Sequence, residues 1–389
     1  MKRLLPVLGA LVLVGAVVAV VVWQRSDAAP PASVPLKDFV VQYADGSTMW
    51  NSKDGDPKSP LVQQVLADVR QQASILPDQL RQVGGVVVTT IDPKAQAAGV
   101  AAIAQGQSAT PRSLTAVDPA TGGVVAYVPG ADPAVDFAGG VLKEPGTAFL
   151  PIDVVAALQN GKTLDSTFDG SSPRKVAGVL VRNKGNVQLG KQTTLREAFA
   201  KSSEVVMYDL ISNQVSIRPA VTAARQAGVP ETVVVAGQEK KLLVGEGGGL
   251  PNAGIAVGGD QAAMRPLDLT TVYATFAAGG VHHKTHFVTK ITAESGDLLY
   301  KAVESTSSAF DPDGARSKAI AEQVTTVLKD NTLCPGAVCR TATYEPAPDK
   351  PSSHVWTVGY TGRMAITVLA GGPDAELPRN IWQKFVEQT

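Results

Sequence analysis

A chain of 389 residues with 35 basic and 35 acidic side chains carries no formal net charge, which argues against nucleic acid as a partner. Hydrophobic residues make up 44% and aromatic residues only 5%, the balance of a globular protein rich in Ala, Val and Gly, with sequence for roughly two to three domains of about 150 residues each. No internal repeat is present, and the four histidines do not cluster with the two cysteines, so neither a metal site nor a cofactor is expected.

The N-terminus reads as an address. Lys2 and Arg3 precede an uncharged run, Leu4 to Trp23, of 20 residues. That is long enough for a helix to cross a hydrocarbon core of about 30 Å. The basic tip favours a cytoplasmic N-terminus, so residues 1–28 are expected to form a transmembrane signal anchor with the bulk of the chain outside the cytoplasm. A cleaved signal peptide ending near "SDAAPPAS" is the rival reading. No cysteine follows the apolar run, so a lipoprotein anchor is not available.

A polar, Pro-rich linker follows, and residues 29–83 are read as linker and a small N-terminal region. Within it, residues 36–60 alternate as one hairpin with Asp-Gly turns at Asp45-Gly46 and Asp54-Gly55. "LVQQVLADVRQQA" has a helical apolar period. From Gly84, "GGVVVTTI" predicts a strand and "DPKAQAAGVAAIAQG" a helix with Asp92 as N-cap and Pro93 at its first position. "SLTAVDPATGGVVAYVPG" predicts two strands.

In "KEPGTAFLPIDVVAALQNG" a turn leads to Thr147, which stands where an N-cap would stand, and apolar residues follow at helical spacing. A second helix, opened by a Thr194-x-x-Glu197 capping box, is expected to break near Ser202. "RPLDLTTVYATFAAGG" predicts a helix closed by glycine, residues 282–303 a hairpin, and "DGARSKAIAEQVTTVLKDN" another helix. Strands at "CRTATYE", "SHVWTVGYTG" and "RMAITVLAGG" precede a last helix, "PRNIWQKFVEQ". Mixed helices and antiparallel strands imply an α+β fold. Cys334 and Cys339 could close the tight loop "CPGAVC" in an oxidising compartment; two free thiols are the alternative.

Several of these segments, in this order, resemble a penicillin-binding-protein transpeptidase domain. "GGVVVTTIDPKAQAAGVAAIA" with "LTAVDPATGGVVAYVPG" resembles its opening. "EPGTAFLP" stands in the place of the nucleophile motif Pro-Gly-Ser-x-x-Lys-Pro, "AKSSEVV" in that of Ser-x-Asn, and "CRTATYE" in that of Lys-Thr-Gly. The resemblance covers about Gly84 to the C-terminus, and the run-in before it is similar to that of class A members without their glycosyltransferase domain. It implies an antiparallel sheet flanked by helices over residues 84–389, after the N-terminal transmembrane helix.

The implied chemistry is acyl transfer by a hydroxyl activated by an adjacent base. Here the serine position is Thr147, whose extra methyl crowds attack, and the lysine position is Leu150, which moves no proton. Loss of positioned acid–base help alone costs about 10²–10⁴-fold. In the second motif Ser202 keeps its hydroxyl, but Glu204 puts an anion where the family has an amide; alone, Glu204 reads as a solvated residue paired with Lys201. In the third, Arg340 keeps a charge able to hold a carboxylate, or is one exposed arginine on an edge strand. Thr341 keeps its hydroxyl, and Ala342 adds a methyl that narrows the cleft. Packing positions, namely Phe149, Pro151, Trp356, Gly359 and Tyr360, are kept.

These substitutions imply a membrane-anchored, extracytoplasmic pseudo-transpeptidase of cell-wall biogenesis. It would act by binding peptidoglycan stem peptides or proteins of wall synthesis and division. The alternative is an active atypical D,D-transpeptidase, carboxypeptidase or acyl-hydrolase using Thr147, and a β-lactam sensor that binds without acylation is a third class.

Overall fold

The computed structural model describes residues 35–104, 110–130, 135–330, 332–345 and 353–389. The expected anchor, Leu4 to Trp23, lies outside the described residues; among those, no helix is long and apolar enough to cross a membrane.

Ten strands build two five-stranded sheets. They are β1 (Val40–Gln42), β2 (Thr48–Asn51), β3 (Val86–Thr89), β4 (Arg112–Val117), β5 (Val124–Val128), β6 (Val288–Thr292), β7 (Leu298–Lys301), β8 (Val338–Tyr344), β9 (His354–Tyr360) and β10 (Ala365–Gly371). The helices are α1 (Pro60–Asp68), α2 (Pro77–Val83), α3 (Pro93–Ile103), α4 (Leu150–Gln159), α5 (Leu195–Ala200), α6 (Glu204–Asp209), α7 (Ile217–Gln226), α8 (Pro266–Ala277), α9 (Gly314–Lys329) and α10 (Glu376–Gln388).

The larger sheet has the order β8-β9-β10-β4-β5 and is antiparallel throughout. Every residue of β4 and β9 is buried, because helices cover both faces. On one face α3 and α10 enclose a core built from Ala98, Leu114, Ile366, Trp382 and Phe385. On the other, α8 lies across the sheet; Thr270 and Thr115 meet there, their hydroxyls 2.5 Å apart. Behind α8 the main core continues into α4, which packs on α7 and α9.

Local signals explain the helix starts. Asp92 accepts from the N–H groups of Lys94 (2.7 Å) and Ala95 (3.0 Å), and Thr194 Oγ1 accepts from Glu197 N at 3.1 Å. The second helix does break at Ser202, which takes φ +51° between α5 and α6.

The smaller sheet, β7-β6-β3-β1-β2, joins the N-terminal hairpin to the rest. β1 pairs with β2 antiparallel and with β3 parallel. Residues 282–303 depart from the expected single hairpin. Only β6 and β7 form one, whereas Val281–His283 pairs with Thr306–Ser308 as a separate ribbon. Lys284 to Phe287 bend between the two, held by the Asp68 carboxylate, which accepts from Phe287 N at 2.8 Å.

Candidate active site

The site is built on the turn Lys143 to Gly146. Gly146 takes φ +53° and donates its N–H to Gly258 O at 3.1 Å. Gly258, at φ +65°, has no room for a side chain: a Cβ there would lie 2.1 Å from Gly146 O. β9 holds the turn from its other side. Trp356 Nε1 donates to Glu144 O at 2.8 Å, and His354 Nε2 lies 2.8 Å from the same oxygen, which places the ring proton on that nitrogen.

Thr147 is not the N-cap expected of it. It sits inside a 3-10 turn, Gly146–Phe149, that runs straight into α4, and the residue flanking α4 is Phe149. The Thr147 side chain is half-buried and its hydroxyl makes no hydrogen bond among the described residues. Leu150 is 1% exposed and packed in the main core. Tyr273 on α8 donates its hydroxyl to Ala148 O at 3.1 Å, and burial pushes that phenol well above its ordinary range.

Arg340 ties the three motif positions together. The expectation of an exposed arginine fails: β8 is an edge strand, but Arg340 is only 8% exposed. Its Nε donates to Thr147 O and its Nη2 to Ser202 Oγ, both at 2.7 Å, and the guanidinium lies 4.4 Å above the Phe199 ring. Such a stack on an aromatic face is worth about 0.5–2 kcal/mol. No carboxylate pairs with it among the described residues, and burial pulls its pKa down to about 10, so it stays charged at neutral pH. Thr341 turns its hydroxyl to Thr357, 3.1 Å away, not to the groups that Arg340 holds. Ala342 is buried opposite Trp356.

Glu204 is half-buried, not solvated. Burial raises its pKa, and the cation that partly offsets this is Lys184 rather than the expected Lys201. Lys184 also reaches the edge strand, its Nζ donating to Thr343 O at 3.2 Å. Beside it, buried Asn183 orders the Ser-Ser-Glu segment. Its Oδ1 accepts from Ser203 Oγ (3.0 Å) and Val205 N (3.1 Å), while its Nδ2 donates to Val187 O (3.0 Å). Asn183, Lys184, Gly258 and Tyr273 escaped the sequence reading. Only the turn signal in "RNKGN" hints at the first two. Cys334 and Cys339, just before Arg340, are joined in a disulfide.

The arrangement holds a buried cation between the backbone carbonyl of Thr147 and the hydroxyl of Ser202, with no counter-charge among the described residues. One turn beyond Thr147 stands an apolar side chain.

A helix that begins under an antiparallel edge strand, with a hydroxyl at its first turn, is the layout of a transpeptidase-type domain. The comparisons with known proteins agree. The family model of the penicillin binding protein transpeptidase domain matches residues 112–347. Penicillin-binding protein 1A of Mycolicibacterium smegmatis is 32% identical over 83% of this chain and 42% of its own length. Penicillin-binding protein 1A of Mycobacterium tuberculosis is 32% identical over 83% and 40%. Among solved structures, the PonA1 protein from Mycobacterium tuberculosis in complex with penicillin V superposes with a TM-score of 0.74 at 28% identity, over 84% of this chain and 92% of that one. The chain belongs to the penicillin-binding-protein transpeptidase family. It spans about two fifths of the length of the curated relatives it matches.

Proposed function

We propose that this is a membrane-anchored, extracytoplasmic protein of peptidoglycan biogenesis whose transpeptidase cleft binds without transferring an acyl group. One observation carries the reading: Leu150, buried and apolar, occupies the position from which an amine would activate the Thr147 hydroxyl. A hydroxyl without an adjacent base is a weak nucleophile. Arg340 supports the binding half of the proposal. It is a desolvated cation held between Thr147 and Ser202 with donors to spare, suited to the carboxylate of a stem peptide. Residues 4–23 would hold it in the cytoplasmic membrane, and wall-synthesis or division proteins are the alternative class of partner.

The test is labelling of the full-length chain with a fluorescent β-lactam, read by intact mass. No covalent adduct is expected; an adduct on Thr147 overturns the proposal in favour of an active atypical enzyme. A second arm separates binding from stability. Because Arg340 holds Thr147 O and Ser202 Oγ and stacks on Phe199, Arg340→Met is expected to cost about 1–3 kcal/mol of stability, so each chain's melting temperature with peptide is compared with its own value without it. The same variant is expected to abolish the rise in melting temperature that a stem peptide produces in the parent chain. A parent chain that no stem peptide stabilises refutes the stem-peptide assignment.

A further inference from the structure

A cavity of about 790 Å³ opens between the C-terminal end of α8, one face of α9, the loop closed by Cys334 and Cys339, and the turn after β9. None of Thr147, Ser202, Glu204 or Arg340 lines it. Its size falls within the roughly 300–1,000 Å³ of small-molecule sites. One wall is apolar, made by Phe276, Val338 and the Tyr360 ring. The facing wall is a polar stripe on α9: Glu322, Thr325 and Lys329, spaced i, i+3 and i+7. Thr325 and Tyr360 close the floor, their hydroxyls 2.8 Å apart. Glu322 and Lys329 stand exposed at the rim. Seven residues of helix place them within ~20° of one another and ~10.5 Å apart along the axis. Among the described residues the Glu322 carboxylate has only a long surface contact with Lys318, at 3.8 Å, a type of pair worth little.

We propose that this cavity is a binding site for a short zwitterionic peptide of two or three residues carrying an apolar side chain. Its amine pairs with Glu322, its carboxylate with Lys329, and its side chain packs against Phe276, Val338 and Tyr360. Length selects the class. An extended dipeptide spans at most ~7 Å, and one charge-assisted hydrogen bond of ~2.8 Å at each end brings its reach to ~12.6 Å, enough to bridge two residues offset by ~10.5 Å along the helix. A single amino acid is too short to reach both, and a long peptide overshoots. The site goes beyond the cleft function proposed above and does not depend on it.

The experiment is calorimetric titration of the full-length chain with the dipeptide Ala-Phe, its N-acetylated form and its C-terminal amide. Saturable binding of Ala-Phe is expected at millimolar peptide or below, with each cap weakening it about tenfold. Glu322→Gln should reproduce the loss caused by acetylation and add nothing to it, and Lys329→Met should do the same for amidation. Both positions are exposed, so the fold is preserved. Arg340→Met should leave this affinity unchanged, which separates the cavity from the cleft. The proposal is overturned by an absence of saturable binding, by equal binding of the capped peptides, by insensitivity to both rim variants, or by loss of binding in Arg340→Met.

Discussion

Asp153 is the residue least like its surroundings. It lies on α4 with no exposed surface, and neither carboxylate oxygen has a hydrogen-bond partner among the described residues. Burial pushes its carboxyl well above the usual range, so the folded protein keeps it protonated where the unfolded chain ionises. The sign follows. Its stabilising contribution is complete below the unfolded pKa of about 3.9 and is lost as pH rises toward the folded value, at ~1.4 kcal/mol per pH unit. Asp153→Asn removes that titration. Its melting temperature relative to the parent is expected to climb from about pH 4 to pH 7; a difference that stays flat would mean an ionised, satisfied carboxylate. The sequence hides this. Apolar residues at helical spacing imply one buried face, whereas the structure buries every residue from Leu150 to Leu158, so a polar residue on the supposed outer face ends up in the core.

At the scale of elements, legibility tracks how local the signal is. Asp92 and Thr194 mark their helices because a cap acts within three residues, and β8 to β10 show as strands because their apolar content needs no partner to be read. The three motif positions were legible as positions through the resemblance, but their surroundings were not. Arg340 became buried through contacts 193 and 138 residues away in sequence, and Lys184 reaches Thr343 across 159. No local pattern encodes such pairs. The contact of Gly146 with Gly258 is of the same kind and fixes the backbone that leads into Thr147. Gly258→Ala would force a Cβ into Gly146 O and strain a left-handed backbone. A loss of about 2–4 kcal/mol in urea unfolding is expected. A loss under about 0.5 kcal/mol would mean that the turn is free to shift.

For the molecule as a whole, the N-terminal hairpin is a structural member of the domain. Phe39 and Val41 are buried in the main core, and Phe39 meets Trp50 edge-on with ring centroids 5.4 Å apart. A chain starting at residue 60 loses those side chains and exposes one edge of β3. It is expected to lose about 3–6 kcal/mol and to self-associate through the bare strand, visible as light scattering below its melting temperature. A truncated chain that stays monomeric and melts with the parent would show the hairpin to be dispensable.

The parallel pairing of β1 with β3 has a mechanical consequence. The chain enters β1 from residue 35, the end nearest the proposed anchor, and β1 lies alongside β3 in matched register from Val40 with Val86 to Gln42 with Val88. Tension drawn from that end along the strand pulls across the ladder's hydrogen bonds together, in shear, instead of opening them one at a time. If the proposed anchor tethers the chain there, the domain would resist being drawn toward the membrane as a single unit, with the load delivered to the sheet and not to the turn that carries Thr147.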